Sequence, residues 1–375
     1  MKNKKSNLLI LAGMLFASSS FAQVYSNKVV GAKNEAFKDS IEQQEYPYSL
    51  PIWGAKATKK GYQLPYSAGV SVNYLWQESA LIIDNLQVGF NNGPKYNLDE
   101  IIRFDDATAK ANAINVRPDI WLFPFLNVYA LFGKAQTSTA ISAGVYIPDS
   151  SNNGLKIADF STKAEFNATM AGFGLTPTIG LGGGWLALDM NMVWTDVSAL
   201  DKPVFTFVFG PRAGKTFKFK KPDRNIALWV GGFRVKFTSE TQGSINLSDV
   251  LPPSELQGKI DEGFSKLDQN QMEIDEWWNG LTPVEQNNPV NKAKYETANR
   301  AMETAGNLLN GLDGAIATAQ TSTVQYSLDK QLKDKWNFIV GTQFQLNKHF
   351  MIRAEYGFLG SRNQFLTGLQ YRFGL

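Results

Sequence analysis

From Trp336 to Leu375 bulky apolar residues alternate with polar ones, and the alternation predicts three amphipathic strands joined by two tight turns. Trp336, Phe338, Val340, Thr342, Phe344 and Leu346 share one face of the first strand, with Asn337, Gly341, Gln343 and Gln345 on the other. Asn347, Lys348 and His349 turn the chain into a second strand, which sets Phe350, Ile352, Ala354, Tyr356 and Phe358 against Arg353, Glu355 and Gly357. After a turn at 360–363, Phe365, Thr367, Leu369, Tyr371 and Phe373 oppose Gln364, Gly368, Gln370 and Arg372. The same period runs through 66–76 and 80–90, read as a hairpin, and through segments near 111–122, 126–147, 164–180, 184–196, 205–219 and 227–237. In the last of these, Ala227, Trp229, Phe233, Val235 and Phe237 mark the apolar face.

Such segments of period two, separated by turn residues and rich in aromatics at their ends, are what a transmembrane β-barrel requires. Connections at 77–79, 123–125, 181–183, 220–225 and 347–349 are short, and those at 91–110, 148–163, 197–202 and 239–335 are longer. Counting back from the last strand puts each kind on its own side, with the short turns inside. The pattern predicts an all-β transmembrane antiparallel β-barrel of about 12 strands, within a range of roughly 10 to 14. Since the recognisable strands are odd in number, residues 24–64 are expected to hide one more strand, or else to plug the lumen. The organisation expected is a signal peptide at 1–22, this amino-terminal segment at 23–65, barrel strands at 66–240, an α-helical insertion in one long loop at 241–325, and closing strands at 326–375.

The insertion breaks the alternation. Ser254 to Gln257 and Thr282 to Glu285 fit capping boxes, the second with proline at the first helical position. Leu256, Ile260, Phe264 and Leu267, then Tyr295, Ala298, Met302, Ala305, Leu309, Leu312 and Ile316, recur at helical spacing. These stripes predict amphipathic helices packed on each other. Phe264, Trp277 and Trp278 are the candidate contacts for lipid, an apolar ligand or a partner protein.

The ending Gly368-Leu369-Gln370-Tyr371-Arg372-Phe373 resembles the carboxy-terminal signal of bacterial outer-membrane β-barrel proteins, a glycine followed by alternating aromatics, except that Gly374 and Leu375 follow the last aromatic. The resemblance implies assembly through Gly368, Tyr371 and Phe373 by the barrel assembly machinery, and residence among the lipids of the outer membrane of a Gram-negative-type envelope. It specifies location and fold, and leaves function open among pores, transporters, enzymes and adhesins.

Composition narrows the chemistry. Lys2, Lys4 and Lys5, the apolar run 8–16 and Ser18 to Ala22 form a secretory signal with cleavage expected near Ala22. Those three lysines account for the whole excess of basic over acidic residues, 37 against 34, so nothing points to a nucleic-acid partner. With no cysteine and one histidine, His349 in an inner turn, no cofactor, metal site or catalytic group is expected and the chain is read as a non-enzyme. Gly210 to Thr216 ends like a phosphate loop but sits in a strand and lacks the first glycine. The candidate lumen-lining residues are Arg117, Asp119, Asp189, Arg212, Lys218, Arg234, Lys236, Arg353, Glu355 and Arg372. Their basic excess suggests a pore or transporter for small solutes. The alternatives are a structural barrel in which paired charges stiffen the lumen and the helical loop docks a partner, and a transporter of apolar ligands.

Overall fold

Lipid-facing apolar residues at every second position roll ten long strands into a closed antiparallel barrel in the computed structural model. It describes residues 27–28, 35–147, 155–181, 183–197, 202–221, 223–237, 240–247, 253–318 and 321–375. The signal expected at 1–22 lies outside the described residues.

The amino-terminal segment holds β1 (Asn27–Lys28), α1 (Glu35–Glu42), α2 (Gly54–Thr58) and β2 (Tyr62–Gln63). The barrel begins with β3 (Ala68–Phe90). After the short β4 (Tyr96–Asn97), it continues through β5 (Ile102–Phe123), β6 (Leu126–Ile147), β7 (Leu155–Leu181), β8 (Gly184–Val197), β9 (Val204–Lys218) and β10 (Asn225–Phe237). The outer insertion comprises β11 (Glu240–Asn246), α3 (Pro253–Asn279), α4 (Pro283–Gln286), α5 (Pro289–Ile316) and β12 (Thr323–Leu332). Then β13 (Trp336–Gln345), β14 (Phe350–Phe358) and β15 (Arg362–Phe373) complete the wall, and β15 closes it by pairing with β3 from Arg362↔Ser79 to Phe373↔Ala68. Ten strands close the barrel, and β4, β11 and β12 lie outside it.

The count falls below twelve for two physical reasons. Residues 66–90 are no hairpin: β3 runs straight through 77–79, where Gln77 and Ser79 face inward and hydrogen-bond each other (3.0 Å) while Glu78 faces outward to Lys110 (3.0 Å). And the described part of 24–64 adds no barrel strand, since β1 pairs only with β2. With β3 rising from the inner end, the parity of the remaining strands follows. The upper half of β3, from Leu81 to Phe90, leaves β15 and pairs with β12, so Asp84 is accommodated outside the membrane, accepting from Gln331 (3.3 Å).

The outer surface is apolar where hydrocarbon would meet it, with Ile114, Phe132 and Leu369 more than half exposed. Aromatics ring both edges: Phe123 with Phe125 and Phe350 with Tyr371 at the inner end, and Trp194 with Phe205 and Phe209 with Trp336 at the outer. This band between aromatic girdles is the architecture of outer-membrane β-barrel proteins.

The insertion is an antiparallel helical pair. Its tip is set by the capping box at Thr282, which donates its backbone N–H to Glu285 (2.8 Å), and by Asn288, whose side chain accepts from the Val290 N–H (2.9 Å). Ile274, Ala298, Ala301, Met302, Ala305 and Leu308 form one apolar cluster with inward-facing strand residues such as Ala109, Ile141, Ala143 and Phe166. The opposite faces of those strands are largely exposed, so the helices pack against the concave side of the extended wall. The loop expected at 91–110 is correspondingly shorter, because β5 already starts at Ile102 with small inward residues, Ala107 to Ala113, beneath the helices.

Candidate functional site

Strand parity delivers charged side chains into the lower lumen. Asp189 on β8, Arg212 on β9 and Glu355 on β14 point inward and are fully buried. The Arg212 guanidinium crosses the lumen past β10 and β13. Its Nε and Nη2 donate to the two oxygens of Glu355 (3.0 Å each), and its Nη1 donates to Asp189. Glu355 also accepts from Arg353 (3.0 Å) and from the Trp229 indole (2.9 Å), while Asp189 accepts from Thr176. Arg353 lies over the Trp229 ring at 4.6 Å. Gly341 opposite is obligatory, because a Cβ there would overlap the indole.

A second network sits nearer the inner end. Asp119 pairs with Arg372 (3.0 Å) and accepts from Asn127 (3.0 Å) and Gln370 (2.9 Å). Arg117 lies over the Tyr129 ring at 3.5 Å, and the Tyr129 hydroxyl donates to Asn191 (2.6 Å). Each carboxylate thus has a cation and further donors, which is what makes burial of ionised groups tolerable.

Seven of the sequence-derived lumen residues, Arg117, Asp119, Asp189, Arg212, Arg353, Glu355 and Arg372, meet in these networks. Lys218 lies at the inner mouth. Arg234 and Lys236 are elsewhere: β10 presents Ala227, Trp229, Phe233 and Val235 to the interior and both cations to the outside. The reason is visible in the register, where Arg234 sits beside Phe209 and Trp336 in the outer aromatic girdle and Trp229 is needed inside to donate to Glu355. Sequence reasoning missed Arg362, assigned to a turn but buried at the start of β15, and the inward Trp121, Trp185 and Trp229.

Above the networks Leu75, Val193, Val208, Phe233, Ile339 and Leu366 are buried in one apolar cluster that continues into the helical pair. Phe264 packs against Ile260 and Leu309 within that pair. Trp278 stacks on Tyr295 (4.4 Å) and Trp277 receives Lys294 (5.0 Å), so the three candidate contact aromatics brace the helices.

The inner mouth is covered by the amino-terminal segment. Ile52 donates to the Leu122 carbonyl (2.9 Å), Leu50 to that of Leu375 (3.2 Å), and Trp53 rests on Phe123 (5.0 Å). Tyr46 donates to the Leu50 carbonyl (2.6 Å), and burial pushes its phenol up to about 12. His349 donates to the Arg372 carbonyl (2.8 Å) and stacks on Tyr371 (5.5 Å), which makes it a brace of the rim. Between cap and barrel lies a cavity of about 350 Å³ lined by Tyr46, Tyr62, Thr216, Lys218, Gln345 and Met351. Gly368 lies opposite Asn73, and Tyr371 and Phe373 face outward on the closing strand. Among the described residues no group of three or more His, Asp or Glu is placed to hold a metal ion.

No protein-family model and no curated protein matches this chain. Among solved structures, similarity is found to the beta domain of the Bordetella autotransporter BrkA (8% identity, TM-score 0.34, 82% of this chain and 100% of that one). The outer membrane protease OmpT from Escherichia coli is similar at 10% identity and TM-score 0.32, over 82% of this chain and 97% of that one. The translocator domain of the autotransporter NalP from Neisseria meningitidis is similar at 8% identity and TM-score 0.30, over 91% and 94%.

Proposed function

We propose that this outer-membrane barrel passes no solute through its lumen and serves instead to hold the helical pair at the cell surface as a docking platform for a protein partner. The observation that carries the reading is the Arg212 bridge between Asp189 and Glu355, which spans the lumen with every participant fully buried. A water-filled path would need those side chains hydrated, and their mutual pairing leaves them no reason to separate. Apolar packing above and the amino-terminal cap below support closure at two further levels. At the tip of the helical pair Met272, Val284 and Val290 are exposed, at 60%, 82% and 74%, and they offer a partner the apolar contact that Trp277 and Trp278 do not. In this reading the barrel is not an enzyme. A signal at 1–22 delivers it, and the assembly machinery inserts it through Gly368, Tyr371 and Phe373.

Reconstitution of the full chain into planar bilayers tests the reading. The expected result is silence, both in the intact protein and after deletion of 251–320, because the Arg212 bridge is untouched. Stepwise conductance from the intact protein would sink it. A second reading, a gated path for small solutes, is favoured by the cavity under the cap. Conductance that appears only when 35–64 is deleted would decide for that one.

A further inference from the structure

The upper lumen contains a cation that the two networks leave aside. Arg362, at the start of β15, is 1% exposed, and among the described residues none gives its three guanidinium nitrogens a hydrogen bond. Its guanidinium carbon lies 5.1 Å from the centre of the Phe233 ring, a cation–π contact that leaves its charge without a counter-ion. Asp334 acts on it through space only, and that carboxylate already accepts from the Ser361 N–H (2.7 Å).

Two amides share the condition. Gln364, the next inward residue on β15, is fully buried, and among the described residues both its amide atoms and the buried Nδ2 of Asn337 on β13 lack a partner. They converge on one place: a Cβ built on Gly357 of β14 would stand 2.9 Å from Asn337 Nδ2 and 3.0 Å from Gln364 Cδ. Asn337 is also the register partner of Phe233, over which Arg362 lies. One guanidinium and two amides therefore crowd around Phe233 and Gly357, with Gln77 and Ser79, which hydrogen-bond each other, across the register on β3. Buried polar groups are almost always satisfied, and those that are not point to water or an ion. Here the donors outnumber the acceptors and carry a positive charge, so the complement is an acceptor-rich anion. A planar guanidinium fork matches a carboxylate best.

We infer that Arg362, Gln364 and Asn337 form an enclosed site for a small monovalent carboxylate, which neutralises Arg362 and locks the upper lumen. Gly357 lets the two amides come together, since a Cβ there would lie 2.5 Å from Gln364 Cγ.

The test uses the full-length protein in detergent, with formate as probe and sulfate as the balancing anion at constant ionic strength. The thermal unfolding midpoint of the wild type should rise saturably by a few degrees with formate, and Arg362→Met should lose the response. Gln364→Glu supplies the carboxylate from within the chain, so in formate-free buffer it should match the formate-saturated wild type and respond no further. A wild type indifferent to formate, or one that responds no more than Arg362→Met, overturns the site; so does occupation by water alone in a crystal grown with formate. Should Arg362→Met fail to fold, Gln364→Glu decides alone: a midpoint no higher than wild type, with the formate response retained, overturns it.

Discussion

The lower and upper halves of the lumen are closed by opposite means. Below, arginines and carboxylates on the strands themselves reach across and pair; above, aliphatic and aromatic residues continue into helices that another part of the chain supplies. The lower closure is therefore built by the ten barrel strands alone, whereas the upper one depends on an insertion being present and folded. The contrast also assigns different vulnerabilities. A buried ion pair is destroyed by removing one partner, while an apolar layer loses stability in proportion to the volume removed.

The largest effect should come from the lower half. Arg212→Ala strands Asp189 and Glu355 without their shared cation, and a loss of about 3–5 kcal/mol is expected, read as a lower melting temperature of the whole barrel in detergent. Met302→Ala in the upper half should cost about 2–4 kcal/mol, confined to the helices. Limited proteolysis would then cut within 253–316 while the barrel band stays heat-resistant, and equal destabilisation of barrel and helices would blur the division drawn here.

The outer lobe adds a pH dependence of its own. Lys330 lies on the buried face of β12 with Tyr326, Leu328 and Leu332, and burial pushes its amine down to about 7. Its folded value is below the unfolded one, so the unfolded chain holds the extra proton between about pH 7 and the ordinary lysine range. Stability of the lobe should climb as pH rises through that window and stay flat below it. Lys330→Met should flatten the climb, monitored by hydrogen exchange of β11 and β12. Smallest of all is the tip: Thr282 holds the Glu285 carboxyl below its usual range, a contribution present above the ordinary carboxylate range and lost as pH falls through the folded value. Thr282→Ala should speed exchange at 283–286 at neutral pH and remove that acid sensitivity.

How much of this was legible in the sequence depends on which solvent each face meets. The last three strands read with the correct faces, because lipid lies on one side and mostly polar or charged residues on the other. Strand β10 read inverted, because Ile226, Leu228 and Val230 face lipid while Ala227, Trp229 and Phe233 face an interior that is also apolar; the period was clear and its phase was not. The polar triplet 77–79 looked like a turn since nothing local reveals that Gln77 and Ser79 satisfy each other inside the wall. The upper lumen was hidden for a related reason: alanines at 107, 109, 111 and 113 carry little hydrophobic signal until helices from far along the chain cover them. Arginines 117, 212, 353 and 372 were found by parity alone, but whether they lined a channel or paired with acids could only be read from distances. Arg362 lay in the turn expected at 360–363, two residues ahead of the expected start of a strand that begins with it.

The two residues that spoil the terminal aromatic pattern have a use. Leu375 accepts from Leu50 and donates its own N–H to Ser67 (2.8 Å), and Gly374 lies flush against the Tyr48 ring. Anything fused after Leu375 would leave from the rim where the cap is fastened and compete with that fastening. An affinity handle for purification is better placed in the exposed bend 280–288.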